Sequence, residues 1–289
     1  MGNLKTSNSS CIASRSTRSV MLDILIALAP ATIAAIVFFG LKAAVIIAVC
    51  VGTALISEFV FNMLAKKEQT IGDLTAVVTG LLLALNLSTN VTIWQCLVGS
   101  VFAIVIVKCA FGGLGYNIVN PAVAAVVMLL IAFPEIQRSA ADELPSILDM
   151  VVNNRAGAIG EACVATLILG GIYLIIRRVI SWHIPALYLA AAFLLSFAFS
   201  GEITSALYHT VSGSLVLGAI FMATDPVTSP KKAIGKIIFA LCAALITALI
   251  SFYGKYQEAA VFAILLMNII CPYIDAIGAK KEKTEEVAE

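Results

Sequence analysis

Ten apolar runs, separated by charged residues or by Gly and Pro clusters, organise the chain. They lie near 20–39, 43–64, 74–87, 93–110, 119–133, 159–176, 184–200, 211–223, 237–252 and 259–274. A helix crossing about 30 Å of hydrocarbon needs about 20 residues. The first, second, fourth, sixth, seventh and ninth runs meet that need, some by tilting. The third, fifth, eighth and tenth are short. Short apolar helices bordered by Gly and Pro have the form of broken or half-membrane helices, which line sites rather than lipid. The pattern predicts an all-α polytopic membrane protein with about ten transmembrane helices.

Composition agrees. Of 289 residues, 61% are hydrophobic and 12% are charged, and the mean hydropathy is +1.03. A soluble domain carries about 25% charged residues, so this chain has too little charge for a water-facing surface. Disorder, coiled coil and secreted disulfide scaffold are excluded. The net charge is +1, from 18 basic and 17 acidic side chains, which gives no footprint for nucleic acid. Seven widely spaced cysteines without a C-x-x-C make a self-contained zinc or iron–sulfur site unexpected. The polar first 19 residues lack a short apolar core followed by a small-residue cleavage site. They read as a cytoplasmic tail rather than a signal peptide.

If the N-terminus is cytoplasmic and all ten runs cross, every Lys and Arg except Lys42, Arg138, Arg155 and Lys255 falls on the cytoplasmic side. That is the bias of the positive-inside rule, and it puts both termini in the cytoplasm of a cell whose cytoplasmic (inner) membrane holds the protein. An internal repeat accompanies it. Phe111-Gly112-Gly113 leads to Asn120-Pro121 and a run ending at Phe133-Pro134; Tyr253-Gly254-Lys255 leads to Glu258-Ala259 and a run ending at Cys271-Pro272. Five runs per half is odd, so the halves would be inverted, with their broken helices meeting at a pseudo-two-fold interface. The expected organisation is an N-terminal tail (1–19), a first five-helix repeat (20–133), an extracytoplasmic loop (134–158), a second repeat (159–275) and a charged cytoplasmic tail (276–289).

Three places are too polar, or too rich in Gly and Pro, for lipid-facing helix. The first is Phe111 to Pro121, on the cytoplasmic side. Its glycines, Gly112 and Gly113 among them, let backbone approach a ligand. Asn117 and Asn120 offer amide donors and acceptors, and Pro121 suits a first helical turn. Uncharged amides suit a flat heterocycle with imide and ring-nitrogen edges; a tight turn with an Asn cap is the plainer alternative. The second is Ala223 to Pro230, where Asp225 is either a capping residue or a carboxylate beside a cation path or cofactor. The third is Glu58, inside the second run, where an acid is a functional hypothesis by default unless it meets Lys66 at the interface. Asp275, just past the last run, shares that ambiguity. Asp23 reads as a charge favourable at a helix start, and His183, His209, Trp94 and Trp182 as interfacial residues. No P-loop, G-x-S-x-G, H-E-x-x-H or dinucleotide fingerprint occurs, so a cofactor would have to carry any redox chemistry.

Several stretches in order resemble a known family: the RnfD component of the Rnf electron-transport complex, related to the NqrB component of the sodium-pumping NADH:quinone oxidoreductase. They are Val20 to Pro30, Val77 to Leu87, Phe111 to Pro121, Phe221 to Thr228 and Phe262 to Asn268. The resemblance implies ten helices in two five-helix repeats. It implies a flavoprotein component of a translocase that passes electrons between ferredoxin and NAD while moving Na⁺ or H⁺. Its partners would be the flavin and iron–sulfur subunits of the same complex and the lipid bilayer. It further implies a non-covalent riboflavin near the cytoplasmic side, at a site matching Gly112, Gly113, Asn117 and Asn120. Acids of a cation path would match Glu58, Asp225 and Asp275.

One feature departs from the family. Its outer loop usually contains Asp-x-x-Ser/Thr-Gly-Ala-Thr, whose last Thr bears FMN. Here the loop from Pro134 to Ser146 has no such motif, neither Ser139 nor Ser146 is flanked by Gly-Ala, and Ser212-Gly213-Ser214 is an intramembrane stretch. No FMN attachment residue is expected. Either an outer FMN binds non-covalently, or it has been lost and a partner's flavin closes the path. A cofactor-free channel or secondary transporter on the same fold, or a structural anchor for redox partners, are the alternatives that composition leaves open.

Overall fold

A computed structural model describes residues 15–136, 146–152, 158–211, 214–254 and 258–288. Most of the expected N-terminal tail, the middle of the expected outer loop with Ser139, and Ser212-Gly213 lie outside the described residues. The helices are α1 (Thr17–Phe39), α2 (Leu41–Leu64), α3 (Thr75–Asn86), α4 (Ile93–Val101, continued as a π-helix over Phe102–Cys109) and α5 (Pro121–Ala132). After the short α6 (Ile147–Val152) come α7 (Val164–Ile176), α8 (His183–Ser200) and α9 (Ile203–Val211). The chain ends with α10 (Leu215–Leu217, continued as a π-helix over Gly218–Met222), α11 (Ala233–Tyr253) and α12 (Ala259–Ala288). No strand occurs among the described residues.

Five helices are long and apolar enough to cross a membrane, namely α1, α2, α8, α11 and the Ala259–Ala276 part of α12. The pair α9 and α10, bent by 58°, has the length and hydropathy of either one broken span or a re-entrant loop. Four shorter apolar helices, α3, α4 with its π-helical end, α5 and α7, complete the set. The chain is an all-α polytopic membrane protein.

Burial sorts these helices into two layers. The long helices present large apolar side chains outward, such as Val37 at 72% and Leu41 at 80% exposed, as a lipid-facing surface requires. Among the shorter helices, α4 and α7 also present apolar side chains outward, such as Ile93 at 56% and Leu169 at 62% exposed, whereas α3, α5 and the α10 segment lie inside. Every residue of α3 except Val77 is buried, all of 215–223 is buried, and α5 is buried along most of its length. Twelve residues rise only about 18 Å, so α3 and α5 end within the thickness of a bilayer, surrounded by protein.

Two expectations about length are corrected. The sixth run, expected to cross, gives only the 13-residue α7. Its first part is a 3-10 turn, Ile159–Glu161, which docks on the end of α3 through the Ile159 N–H to the Leu87 carbonyl (2.9 Å). Glu161 Oε2 accepts from the Ala158 N–H at 3.1 Å, so this polar entry cannot continue as lipid-facing helix. The tenth run, expected to be short, is a full span, because helix continues through Pro272 into the charged segment beyond it.

Asp23 is also corrected. α1 begins at Thr17 with Ser16 capping it, which puts Asp23 beyond the first turn. It is 3% exposed and accepts from Tyr173 (3.0 Å) and Arg177 Nε (3.2 Å) on or just after α7, with Arg15 at 3.3 Å. Its role is to fasten α1 to α7.

Candidate functional site

Where α1, α3, α7 and the π-helical end of α10 meet, they enclose a narrow cleft of about 60 Å³. The wall is mainly apolar, with Ile24, Val78, Leu82, Leu174, Ile180 and Phe221. Its polar members are Thr75, Thr79, Lys108, Asn117, Asn120, Thr224 and Asp225. Both π-helical turns contribute, through Lys108 and Phe221. The wider π turn shifts the register of side chains and often marks a functional position.

The two asparagines share the cleft but not a role. Asn120 is the N-cap of α5: its Oδ1 accepts from Ala122 (3.0 Å) and Val123 (3.4 Å), ahead of Pro121 at the first helical position. Its Nδ2 donates to the Met222 carbonyl at 3.4 Å. Asn117 donates from Nδ2 to the Val119 carbonyl at 3.1 Å, and its buried Oδ1 has no partner. Thus Asn120 is spent on structure, whereas Asn117 keeps an acceptor free. Asn268, which the sequence did not single out as a site residue, accepts from the Asn120 N–H and donates to the Thr228 carbonyl.

Gly112 and Gly113 stand elsewhere. With Gly115 they adopt φ values of 118°, 100° and 93°, conformations that side-chain-bearing residues rarely adopt, and they turn the chain sharply after the π-helix. They line a second cavity of about 320 Å³, together with Glu58, Asn62, Glu68, Thr70, Asp73 and Lys108. Only Leu114 and Lys108 belong to both walls.

The three candidate acids are not brought together. Glu58 is 1% exposed and pairs with Lys108, Nζ to Oε1, at 2.7 Å, not with Lys66. Lys108, counted by sequence as a cytoplasmic surface charge, is 3% exposed. An acid and a base inside separate apolar runs was the signal available for this pair. Asp225, in the loop between α10 and α11, borders the cleft. Burial pushes its carboxyl up from the ordinary aspartate range, while donors from Thr228 (3.0 Å) and Val227 (3.4 Å) partly oppose the shift. Asp275 accepts from the Lys231 N–H at 3.2 Å at the start of α11, away from the cleft. Among the described residues no group of three or more His, Cys, Asp or Glu could hold a metal ion.

The chain is similar to known proteins over nearly its whole length. The chain is 42% identical to the D component of the Na(+)-translocating ferredoxin:NAD(+) oxidoreductase complex of Acetobacterium woodii, covering 94% of this chain and 93% of that one. It is 33% identical to the D component of the proton-translocating ferredoxin:NAD(+) oxidoreductase complex of Clostridium ljungdahlii, over 90% and 89%. The D component of the ion-translocating oxidoreductase complex of Methanosarcina acetivorans is 32% identical over 87% and 86%. With residues 5–283 matching the family profile, the chain belongs to the NQR2, RnfD, RnfE family.

Proposed function

We propose that this chain is the membrane-embedded RnfD component of an Rnf-type complex, in which electron transfer between ferredoxin and NAD⁺ drives Na⁺ or H⁺ across the cytoplasmic membrane. The similarity to the D components of such complexes over nine-tenths of the chain supports the assignment. The partners are then the other subunits of that complex. With Lys108 removed from the surface charges, the remaining basic residues still favour cytoplasmic termini. The inverted five-helix repeat belongs to the same proposal.

Within that role the cleft is the site for a non-covalent flavin, with riboflavin the favoured form. The observation that carries this is the unpartnered, buried Oδ1 of Asn117 on an apolar wall. A buried acceptor left unsatisfied costs about 1–3 kcal/mol, and a ligand imide N–H would satisfy it. Val78, Leu82 and Phe221 would cover the faces of a flat ring, and Lys108 would supply positive charge beside it. Flavin, when bound, supplies exchange of one or two electrons. The enclosed volume is smaller than a tricyclic ring needs, so the wall must open. Leu114, between the positive-φ Gly113 and Gly115, is the wall residue carried on the Gly-rich turn rather than on a helix. The protein's contribution is to hold the ring edge, exclude water and place charge.

The test is the flavin content of the purified chain before and after acid precipitation. Flavin released into the supernatant from wild type, and reduced severalfold in Asn117→Ala, is the expected result. Fluorescence remaining with the pellet would overturn the non-covalent reading. Absence of flavin in preparations that retain the partner subunits would favour the anchor or transporter alternative.

A further inference from the structure

The loop between α7 and α8 and the loop leading into α11 wall a third cavity, of about 320 Å³. Its charged members are Arg178, Lys231 and Lys236, and Ser181, Thr224 and Ser229 add hydroxyls. No carboxylate lines it. Among the described residues, none of the three basic side chains is in an ion pair. Asp275 lies near, but its Oδ1 accepts from the Lys231 backbone N–H at 3.2 Å, and one carboxylate does not balance three cations. Val179, Ile180, Thr224 and Pro226 also line the narrow cleft, whereas none of the three cations does.

Helix stability does not explain this charge. Lys231, Lys232 and Lys236 gather at the N-terminal end of α11, the positive end of the helix dipole, where cations are unfavourable. Like charges around a concave site raise the local concentration of anions. Two features put the cavity at the edge of a bilayer. Trp182, next to Ser181, is 55% exposed and stacks on His183 with ring centroids 4.3 Å apart, and exposed Trp collects at headgroup level. Beyond the cavity, α11 presents Ile234, Ile237, Leu241 and Leu245 outward, at spacings of three and four that share one helical face. A ligand that meets both parts carries a phosphate and a hydrocarbon tail.

We infer that this cavity is a specific seat for the headgroup of an anionic phospholipid, held by Arg178, Lys231 and Lys236, with its acyl chains along α11. Arg178 presents a planar fork that matches two phosphate oxygens, and the two lysines add point charge. Basic pockets between membrane helices on the cytoplasmic side suit anionic headgroups for this reason. A zwitterionic headgroup brings its own cation and binds more weakly. The seat rests on neither the flavin reading nor the family assignment.

The test is native mass spectrometry of the full chain in detergent, titrated with phosphatidylglycerol or with phosphatidylcholine. Wild type should bind one phosphatidylglycerol about tenfold or more tighter than phosphatidylcholine. Arg178→Gln/Lys236→Gln should lose that preference. Lys66→Gln/Lys67→Gln, which removes the same charge elsewhere, should keep it. Equal affinity of wild type for the two lipids overturns the inference, and so does equal loss in the two double variants. Inorganic phosphate displacing the lipid at equal concentration would make the ligand a soluble phosphate and overturn the lipid assignment. Should the Arg178→Gln/Lys236→Gln protein not fold, lysine acetylation of wild type decides. Phosphatidylglycerol must shield Lys231 and Lys236 more than phosphatidylcholine does, with Lys66 labelled equally in both; equal labelling throughout overturns the inference. Shielding that comes only with partner subunits, and not with lipid, assigns the cavity to a protein contact and overturns it as well.

Discussion

The backbone N–H of Asn120 donates to Asn268 Oδ1 across 3.2 Å, although 148 residues separate them in sequence. The same side chain donates from Nδ2 to the Thr228 carbonyl at 3.2 Å. One amide on α12, 1% exposed, thereby fixes both the start of α5 and the loop that carries Asp225. Asn268→Ala leaves a buried N–H and a buried C=O unsatisfied, at about 1–3 kcal/mol each. The expected outcome is a lower unfolding temperature together with faster flavin loss on gel filtration. An unchanged unfolding temperature would mean that this bridge does not hold the cleft.

Asn117 and Asn120 should separate cleanly when each is replaced by Ala. Asn120→Ala removes an N-cap, which costs about 0.5–2 kcal/mol of stability, plus the bond to Met222. Asn117→Ala removes one local bond and an acceptor that is unsatisfied in the free protein. It should leave the unfolding temperature near wild type while weakening flavin retention. Calorimetry and flavin stoichiometry on both variants check the pair. Equal losses of stability would show that Asn117 is structural too.

Helix number and the short interior helices were legible because apolar length and flanking Gly and Pro report directly on what a bilayer permits. Asn120 with Pro121 was legible as a cap for the same local reason. Partners were not. Nothing near Glu58 in sequence names Lys108, 50 residues away, and charge counting assigned that lysine to the surface. Asp23 looked like a helix-start charge because Ser16 and Thr17 were not read as the true start. Gly112 and Gly113 were grouped with the asparagines by adjacency. The positive-φ turn instead faces them to the other cavity. What sequence could not supply in each case was the third dimension of a turn or a distant helix.

Gly170 on α7 is fitted against the backbone of α1. A Cβ added there would overlap the Ala27 carbonyl oxygen and approach the Phe221 ring at 3.2 Å. Small residues at such crossings let membrane helices pack by close backbone contact, in place of a hydrophobic driving force. The overlap is with backbone and has no rotamer escape, so Gly170→Ala should cost about 1–3 kcal/mol. Gly52→Ala, where an added Cβ meets nothing within 4 Å, is the matched control. Thermal unfolding of the two variants in the same detergent checks the contrast, and equal unfolding temperatures would sink it.

Asp225 gives a pH dependence of definite sign. Burial raises its carboxyl above the ordinary range, so the folded state holds this proton more firmly than the unfolded state. Stability from this group is therefore greatest below the ordinary aspartate value, about 3.9. It declines as pH rises through the folded-state value, and remains reduced beyond it. Asp225→Asn removes the charge and keeps an acceptor for one of the two donors, which reach different carboxylate oxygens: the Val227 N–H to Oδ1 and the Thr228 hydroxyl to Oδ2. The stability difference between Asp225→Asn and wild type should then grow in favour of the variant as pH rises from about 4, roughly the ordinary aspartate value, and level off once pH has passed the raised folded-state value. Parallel unfolding curves across that range would remove Asp225 as the titrating group. Under the proposed function, the same variant should also lose Na⁺- or pH-dependence in flavin reduction.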